Sequence, residues 1–457
     1  MTLSSENKPL LVVLGAAESG VGTAILAQRK GYDVFVSDKG TIRTDYKQQL
    51  EAAGIPFEEG THTAERILRA SEVVKSPGIP PTVPIVREIE ARHIPVLSEI
   101  EFASRYSKAR TVCITGSNGK TTTTSLIYHI LQRAGIRVGL AGNIGRSLAL
   151  QVAEEEEPDW YVIELSSFQL DNMYRFKADV AVLLNITPDH MDRYEFKMQN
   201  YVDSKMRILQ NQQAGDTFIY WASDEYVPAE LARRGFTGTA LAFDDAKADG
   251  LSAYVDDATL NVLAPRPFHI PVETLSLPGV HNRRNIMAAA LAALSVGVSD
   301  EVLEQALSDF PGVEHRMEYA GTVDGVRYVN DSKATNVDAC RWALEAVETP
   351  VVLILGGLDK GNDYGMIADL VRRKCRALVF LGIDNRKLHA FFDAFGLPVA
   401  DVLSMADCVE ACARFAQAGD TVLLSPCCAS FDLFKNMEDR GEQFKAQVAR
   451  LQDAPLS

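Results

Sequence analysis

The sequence predicts an α/β protein of three domains. The first is Rossmann-like, the second is a central phosphate-loop domain with a parallel sheet, and the third is again Rossmann-like. Three observations carry this. Apolar runs of strand length alternate with helix-length stretches along most of the chain. The 457 residues exceed what one ordinary core takes up. The alternation restarts twice, so the domains are drawn at 1–105, 106–313 and 314–457.

The first alternation opens with "LLVVLGAAESGVGTAILAQRKGYDVFVSD" (10–38), a strand, a glycine-bearing turn, a helix and a second strand closed by Asp38. Gly15, Gly20 and Gly22 do not spell G-x-G-x-x-G, because Ala17, Glu18 and Ser19 fill the middle of the turn. The stretch therefore argues for a Rossmann-like sheet with something bound at its strand ends more than for a dinucleotide. "SEVVKSPGIPP" (71–81) adds a strand and a rigid Pro/Gly loop.

The second alternation starts at Thr111, with strands expected at 111–115, 160–165 ("WYVIEL") and 180–185 ("VAVLLN"). Near-continuous apolar strands suit a parallel sheet covered on both faces. Glu154 to Glu157 reads as a solvated helix end or loop, and 216–277 as β-like and turn-rich. Residues 277–298 read as a loop entering an Ala-rich helix. The third alternation, from near Met317, carries "VRYVNDS", "PVVLILGG", "ALVFLG" and "TVLLSP" as strands. No fixed-period repeat or low-complexity linker interrupts the chain.

Charge narrows the function. Sixty-one acidic residues against 46 basic ones give −15, which opposes general nucleic-acid binding. An anionic substrate must then meet locally gathered Lys, Arg, backbone N–H groups or metal. No apolar run approaches the roughly 18 residues that span a membrane. The start, "MTLSSENKPLLVVLG", has no basic segment ahead of its apolar run, so no signal peptide and a cytoplasmic protein are expected. The seven cysteines lack zinc-ligand spacing and read as reduced structural thiols, with Cys408 and Cys412 on one helix face and Cys427 next to Cys428.

"TGSNGKTTTT" (115–124) lies between a strand and a helix. It is two residues tighter than the common G-x-x-x-x-G-K-[ST] loop, with only Ser117 and Asn118 between Gly116 and Gly119. Its glycines let backbone N–H groups face phosphate oxygens, and the helix start adds its dipole. Lys120 supplies charge to the β- and γ-phosphates and Thr121 a hydroxyl for Mg²⁺, which together favour ATP. Glu164 ends the strand "WYVIEL" and is either a solvated strand end or a metal ligand. His190, flanked by Asp189 and Asp192, is either structural or a ligand. By periodicity Lys205 is an exposed helical lysine. Asn282 and Asn285 in "HNRRN" offer amides suited to a base or ribose. The loops "NDSKATN" (330–336), "GGLDKGND" (356–363) and "SPCCASFDLFKNMEDRGEQF" (425–444) each follow a strand, and in a parallel sheet they converge on one crevice.

Taken in order, "TGSNGKTTT", "GNIG" (142–145), "ELSSFQL" (164–170), "NITPDHMDRY", "DSKMRI", "HNRRN", "EHRME" (314–318), "NDSKATN", "GGLDKGN" and "SPCCASFDLFKNMEDRG" resemble the Mur ligase family over essentially the whole chain. "NDSKATN" and the "SPxxASFDxFKN" pattern resemble its D-glutamate-adding branch. The resemblance implies a UDP-sugar domain, then an ATP and metal domain, then an amino-acid domain that moves when ATP binds. It implies an enzyme of peptidoglycan precursor and cell-wall synthesis. Such an enzyme uses ATP to phosphorylate the terminal carboxylate of UDP-N-acetylmuramoyl-L-alanine and then admits the amine of D-glutamate. It further implies small-molecule partners only, and a monomer.

Residue by residue, the resemblance assigns ATP to Gly116, Ser117, Asn118, Gly119, Lys120, Thr121, Thr122, Asn285, Arg316, Asp331 and Lys333. It assigns two Mg²⁺ ions to Thr121, Glu164, His190 and Lys205, the last matching a carbamylated lysine (N6-carboxylysine). Lys120, Glu164, His190 and Lys205 form the implied catalytic set. The UDP-sugar falls to Glu18, Ser19, Asp38, Lys39, Ser76, Gly78, Asn143, Ser166, Gln169 and His190. D-glutamate falls to Thr335, Lys360, Ser430, Phe431 and Met437. The chain departs from the family pattern in "GAAESGVG", in Lys39-Gly40 after Asp38, and in Met437 where Phe is common. A nicotinamide oxidoreductase does not explain Lys120-Thr121. A non-catalytic nucleotide-binding protein, a sister Mur ligase and a folylpolyglutamate-synthase-like ligase stand as the other readings.

Overall fold

A computed structural model of the chain describes residues 8–154, 156–256 and 258–453. Its strands form three sheets. In the first, β1 (Leu10–Leu14), β2 (Asp33–Asp38), β3 (Phe57–Glu59), β4 (Glu72–Lys75) and β5 (Val96–Leu97) run parallel in the order β3-β2-β1-β4-β5. Leu11 and Val13 enter one core while Val12 and Leu14 enter another. Burial on both faces is why β1 has no polar alternation. The strand order reverses at β1 and β4, so a crevice lies beyond their C-terminal ends.

The second sheet holds β6 (Arg110–Thr115), β7 (Val138–Gly142), β8 (Trp160–Glu164), β9 (Val180–Leu183), β10 (Thr217–Trp221), β11 (Thr239–Asp244), β12 (Ala253–Asp256), β13 (Thr259–Val262) and β14 (Phe268–Pro271). Their order is β14-β13-β12-β11-β10-β9-β6-β8-β7, parallel from β7 to β12 and antiparallel from β12 to β14. The strands expected at 111–115, 160–165 and 180–185 are β6, β8 and β9. The core that takes Leu11 and Val13 continues through Phe102 to Leu148, Tyr161 and Ile163. Among the described residues, those up to 276 and those at 282–310 accordingly form one compact unit. Within it the helix Glu18–Arg29 packs so closely on the segment before Leu148–Glu154 that a Cβ on Gly22 would lie 2.2 Å from Ser147 Oγ. Gly22 thus serves helix packing.

Residues 277–281 and the described residues from 311 onward form a second unit. Its sheet holds β15 (Glu318–Val323), β16 (Val326–Asn330), β17 (Val351–Gly356), β18 (Cys375–Leu381), β19 (Val399–Val402) and β20 (Thr421–Cys427), in the order β15-β16-β20-β17-β18-β19. β15 and β16 make an antiparallel hairpin through Asp324 and Gly325, both at positive φ, as a two-residue turn requires. The other pairings are parallel. The four expected strand runs are β16, β17, β18 and β20.

All seven cysteines are free and buried. Of the acidic run 154–157, Glu155 lies outside the described residues. Glu157 is more than a solvated end, since its carboxylate accepts from Ser107 Oγ at 2.8 Å and from Ala109 N at 3.2 Å. Among the described residues no helix is long and apolar enough to cross a membrane.

Candidate active site

The loop after β6 is built from two glycines that no other residue could replace without strain. Gly116 sits at φ +154° and Gly119 at φ +85°. A Cβ on Gly119 would lie 2.4 Å from Asn285 Oδ1, and one on Gly116 would lie 3.1 Å from Leu184 Cβ. The segment after β9 braces the loop. Ser117 N donates to Asn185 O at 2.8 Å, Asn118 N to Asn185 Oδ1 at 2.9 Å, and Ser117 Oγ to Thr187 O at 2.8 Å. The helix Lys120–Arg133 starts directly after Gly119, with Thr121 and Thr122 buried in its first turn. Lys120 Nζ turns back over the loop and donates to Gly116 O at 2.7 Å and Ser117 O at 2.9 Å. A cation, a helix N-terminus and a close-approach backbone are the parts a nucleotide phosphate needs.

β8 lies beside β6, with Glu164 in register with Ile114, so Glu164 emerges at the same sheet edge as the loop. It is 1 % exposed. Its Oε1 accepts from Asn143 Nδ2 at 2.9 Å, while Oε2 is buried with no hydrogen-bond partner. An orphaned buried carboxylate oxygen at a strand end fits a hard cation, and Thr121 offers a second oxygen. His190 stands at φ +53° with Asp189 Oδ2 at 3.6 Å from Nε2 and the Phe168 ring edge-on at 5.0 Å.

Lys205 is not an exposed helical lysine. It lies on the helix Met198–Met206, is 1 % exposed, and donates from Nζ to Gly116 O at 2.8 Å. Burial, helped by the charge of Lys120, pulls its pKa well below 10.5. A lone lysine in a helix reads as solvated by default, but this one shares its face with the buried Tyr201 and Val202 one turn earlier. Asn285, also buried, stands against Gly119.

At the first sheet's strand ends, Asp38 accepts from Ala16 N and from Gly40 N, both at 2.7 Å, and so holds the turn that carries Glu18 and Ser19. Glu18 accepts from Ser147 N at 3.0 Å. Ser76 Oγ is buried without a partner, in the space a Cβ on Gly15 would need. Lys39 and Gly78 are exposed beside these groups. Ser166 and Gln169 form a reciprocal capping box at the start of the helix Ser167–Leu170, which uses Ser166 Oγ and Gln169 Oε1 and not the Gln169 amide nitrogen. Asn143 is committed to Glu164.

In the third sheet the strands β16, β20 and β17 are neighbours, so the loops carrying Asp331, Lys333 and Thr335, then Ser430, Phe431 and Met437, then Lys360 leave one edge together. Leu358 and Ala429 exchange backbone hydrogen bonds at 2.8 and 3.2 Å, which laces two of them. Asp331 is buried, accepts from Ser425 Oγ at 2.9 Å, and has its pKa pushed up to about 6 by burial against the opposing pull of Arg316. Arg316 Nε is buried without a partner. Ser430 is buried, while Phe431 and Lys360 are exposed.

Arg440 went unremarked in the sequence. It is 1 % exposed and donates to Ser332 Oγ at 2.9 Å, Ser332 O at 2.8 Å and Cys428 O at 3.2 Å. It thereby ties the β16 and β20 loops. Ser332 Oγ in turn donates to Met437 O at 2.7 Å. The sign was an arginine that closes "SPCCASFDLFKNMEDR" and shares a helix face with the buried Phe444 and Val448.

Three family models match the chain: the Mur ligase middle domain at 114–293, the Mur ligase glutamate ligase domain at 315–428, and the MurD N-terminal domain at 10–85. The chain is 58 % identical to the UDP-N-acetylmuramoylalanine–D-glutamate ligase of Bacteroides thetaiotaomicron, over 96 % of this chain and 99 % of that one. It is 54 % identical to the enzyme of the same name from Porphyromonas gingivalis, over 96 % and 98 %. Among solved structures, the UDP-N-acetylmuramate-alanine ligase MurC of Thermotoga maritima superposes with a TM-score of 0.61 at 18 % identity, covering 98 % of this chain and 100 % of that one. MurF of Acinetobacter baumannii superposes with a TM-score of 0.62 at 15 % identity, covering 96 % and 93 %. These two likenesses speak for the fold.

Proposed function

The chain belongs to the Mur ligase family, and from that premise we propose that it joins D-glutamate to UDP-N-acetylmuramoyl-L-alanine, with ATP converted to ADP and phosphate. This is a step of peptidoglycan precursor synthesis. Both nucleotides are cytoplasmic metabolites, which supports a cytoplasmic enzyme.

One observation carries the chemistry: a two-glycine loop topped by Lys120 stands at the same sheet edge as Glu164, whose Oε2 is buried and unpartnered. A carboxylate is a poor acceptor for an amine. Transfer of the γ-phosphoryl group to the alanyl carboxylate gives an acyl phosphate with a good leaving group. The D-glutamate amine attacks its carbonyl carbon, a tetrahedral intermediate forms, and phosphate leaves. This demands positioning and charge neutralisation more than a protein nucleophile.

Each assigned residue then has a task. Gly116 to Thr122 cradle the ATP phosphates, Lys120 neutralises the transferred group, and Asn285 meets the nucleotide. Arg316, Asp331 and Lys333 are the third sheet's share of ATP binding. Thr121, Glu164 and His190 would hold two Mg²⁺ ions, which would supply charge neutralisation to the phosphates. Burial disfavours the ammonium form of Lys205 and so favours the amine that can capture CO₂; as a carbamate it would add an anionic oxygen to that donor set. Glu18, Ser19, Asp38, Lys39, Ser76 and Gly78 line the UDP-sugar site, with Asn143, Ser166, Gln169 and His190 toward the sugar. Thr335, Lys360, Ser430, Phe431 and Met437 form the D-glutamate pocket, where Lys360 anchors a carboxylate.

The test is ADP formation from ATP and UDP-N-acetylmuramoyl-L-alanine with D-glutamate, L-glutamate, L-alanine or diaminopimelate. Turnover with D-glutamate alone is expected. Preference for another amino acid would assign the chain to a sister ligase.

A further inference from the structure

Lys75 closes β4 and is only 5 % exposed. Its Nζ donates to Ile79 O at 2.8 Å and to Ser76 O at 3.4 Å. Among the described residues no carboxylate forms an ion pair with it; Asp171 and Glu90 act on it only from farther away. Arg193 approaches the same short loop from the second sheet, donating to Pro77 O at 3.3 Å and Gly78 O at 3.4 Å. It too lacks a carboxylate partner among the described residues, and its guanidinium lies 4.2 Å over the Phe168 ring. On the same turn Ser76 Oγ is buried without a partner.

Burying an ammonium against carbonyl oxygens alone recovers only part of its hydration. In a chain of charge −15, two cations without an ion-pair partner among the described residues, on one Ser-Pro-Gly turn at the switch point of a parallel sheet, are complementary to an anion. Arg193 has a second attachment. It follows His190 by three residues, and the Phe168 ring it covers also meets the His190 ring at 5.0 Å. That stretch holds three residues at positive φ, His190, Glu195 and Phe196, a form that persists only where surrounding contacts impose it.

We propose that Lys75 and Arg193 form a two-cation clasp on the Ser76–Ile79 turn that takes up the diphosphate of the sugar nucleotide, and that Arg193 thereby holds the His190 loop in register with the bound substrate. The proposal rests on the reading of the first sheet as the UDP-sugar site. Both are positioning residues. Lys75 shapes the turn and supplies charge from beneath it, and Arg193 links the turn to the loop that bears His190.

Calorimetry with UDP and with uridine separates charge from shape, using the full chain, Lys75→Met and Arg193→Gln. Each variant is expected to bind UDP at least tenfold more weakly while uridine binding stays within twofold. Arg193→Gln, but not Lys75→Met, is also expected to raise the Mg²⁺ concentration for half-maximal turnover. UDP affinity within twofold of the parent in both variants would overturn the clasp alone, as would equal losses for UDP and uridine. A parent chain that binds no UDP would overturn the sugar-nucleotide reading itself. Should Lys75→Met fail to fold, the half-buried Arg193→Gln decides the matter by the same readouts.

Discussion

Lys120 and Lys205 donate to the same acceptor, the carbonyl oxygen of Gly116, at 2.7 and 2.8 Å. Two ammonium groups on one oxygen repel each other. Burial pulls the pKa of Lys205 well below the usual lysine value. Under the proposed function, Lys120 is the cation for phosphate and Lys205 the amine open to modification.

If Lys205 works as a carbamate, activity should depend on dissolved CO₂. Protein equilibrated with ¹³C-bicarbonate is expected to show a carbamate carbon resonance that Lys205→Met lacks, and stripping CO₂ should depress turnover reversibly. Full activity of an unmodified amine, established by intact mass and side-chain density, would remove the carbamate from the account.

Lys120→Met keeps the aliphatic stem and removes the charge. The loss should fall on kcat, by about 10²–10³-fold, because the charge acts on the transferring phosphoryl group. A change confined to KM for ATP would make Lys120 a simple binding residue.

Gly119→Ala places a methyl group 2.4 Å from Asn285 Oδ1 at φ +85°. We expect a stability loss of about 1–3 kcal/mol, read as a lowered Tm, and a weakened ATP affinity. Adding Asn285→Ala should relieve the clash without relieving the backbone strain, so Tm should recover only in part.

Glu164→Gln preserves shape and the contact to Asn143 while removing a metal-binding charge. It should shift the Mg²⁺ activation curve to at least tenfold higher concentration, with EDTA abolishing turnover in both proteins. Unchanged Mg²⁺ dependence would release Glu164 from the metal set.

Glu99 provides a pH test away from the chemistry. It is fully buried, accepts from Ala149 N at 2.9 Å, and is raised from 4.5 to about 7 chiefly by burial. A carboxyl whose folded pKa lies above its unfolded value contributes stability below about pH 4.5 that is lost as pH rises through about 7. Above that the ionised form costs about 3 kcal/mol. Glu99→Gln should therefore gain Tm over the parent as pH rises from 5 to 8, and the gain should vanish near pH 5.

The legible parts of this fold were its buried parallel strands. "WYVIEL" and "VAVLLN" announced β8 and β9 because both faces of each are covered, and "TVLLSP" announced β20 likewise. β15 and β19 went unread. The first alternates buried and exposed positions around Gly321, and the second is a four-residue edge strand with half-exposed side chains. In the site, the glycine loop was legible because its chemistry is local. Lys75 and Lys205 were not, since a lysine at the end of a strand or in a short helix reads as solvated until the packed neighbours are known. Arg440 and Arg193 act through backbone carbonyls of distant loops, contacts that leave no pattern in the spacing of residues.

The central claim is that ATP activates a substrate carboxylate and D-glutamate then displaces phosphate from it. The most direct measurement uses UDP-N-acetylmuramoyl-L-alanine labelled with ¹⁸O in its terminal carboxylate, turned over with ATP and D-glutamate, with the released phosphate analysed by mass. The account predicts one ¹⁸O in each phosphate formed. Unlabelled phosphate alongside amide product would contradict it.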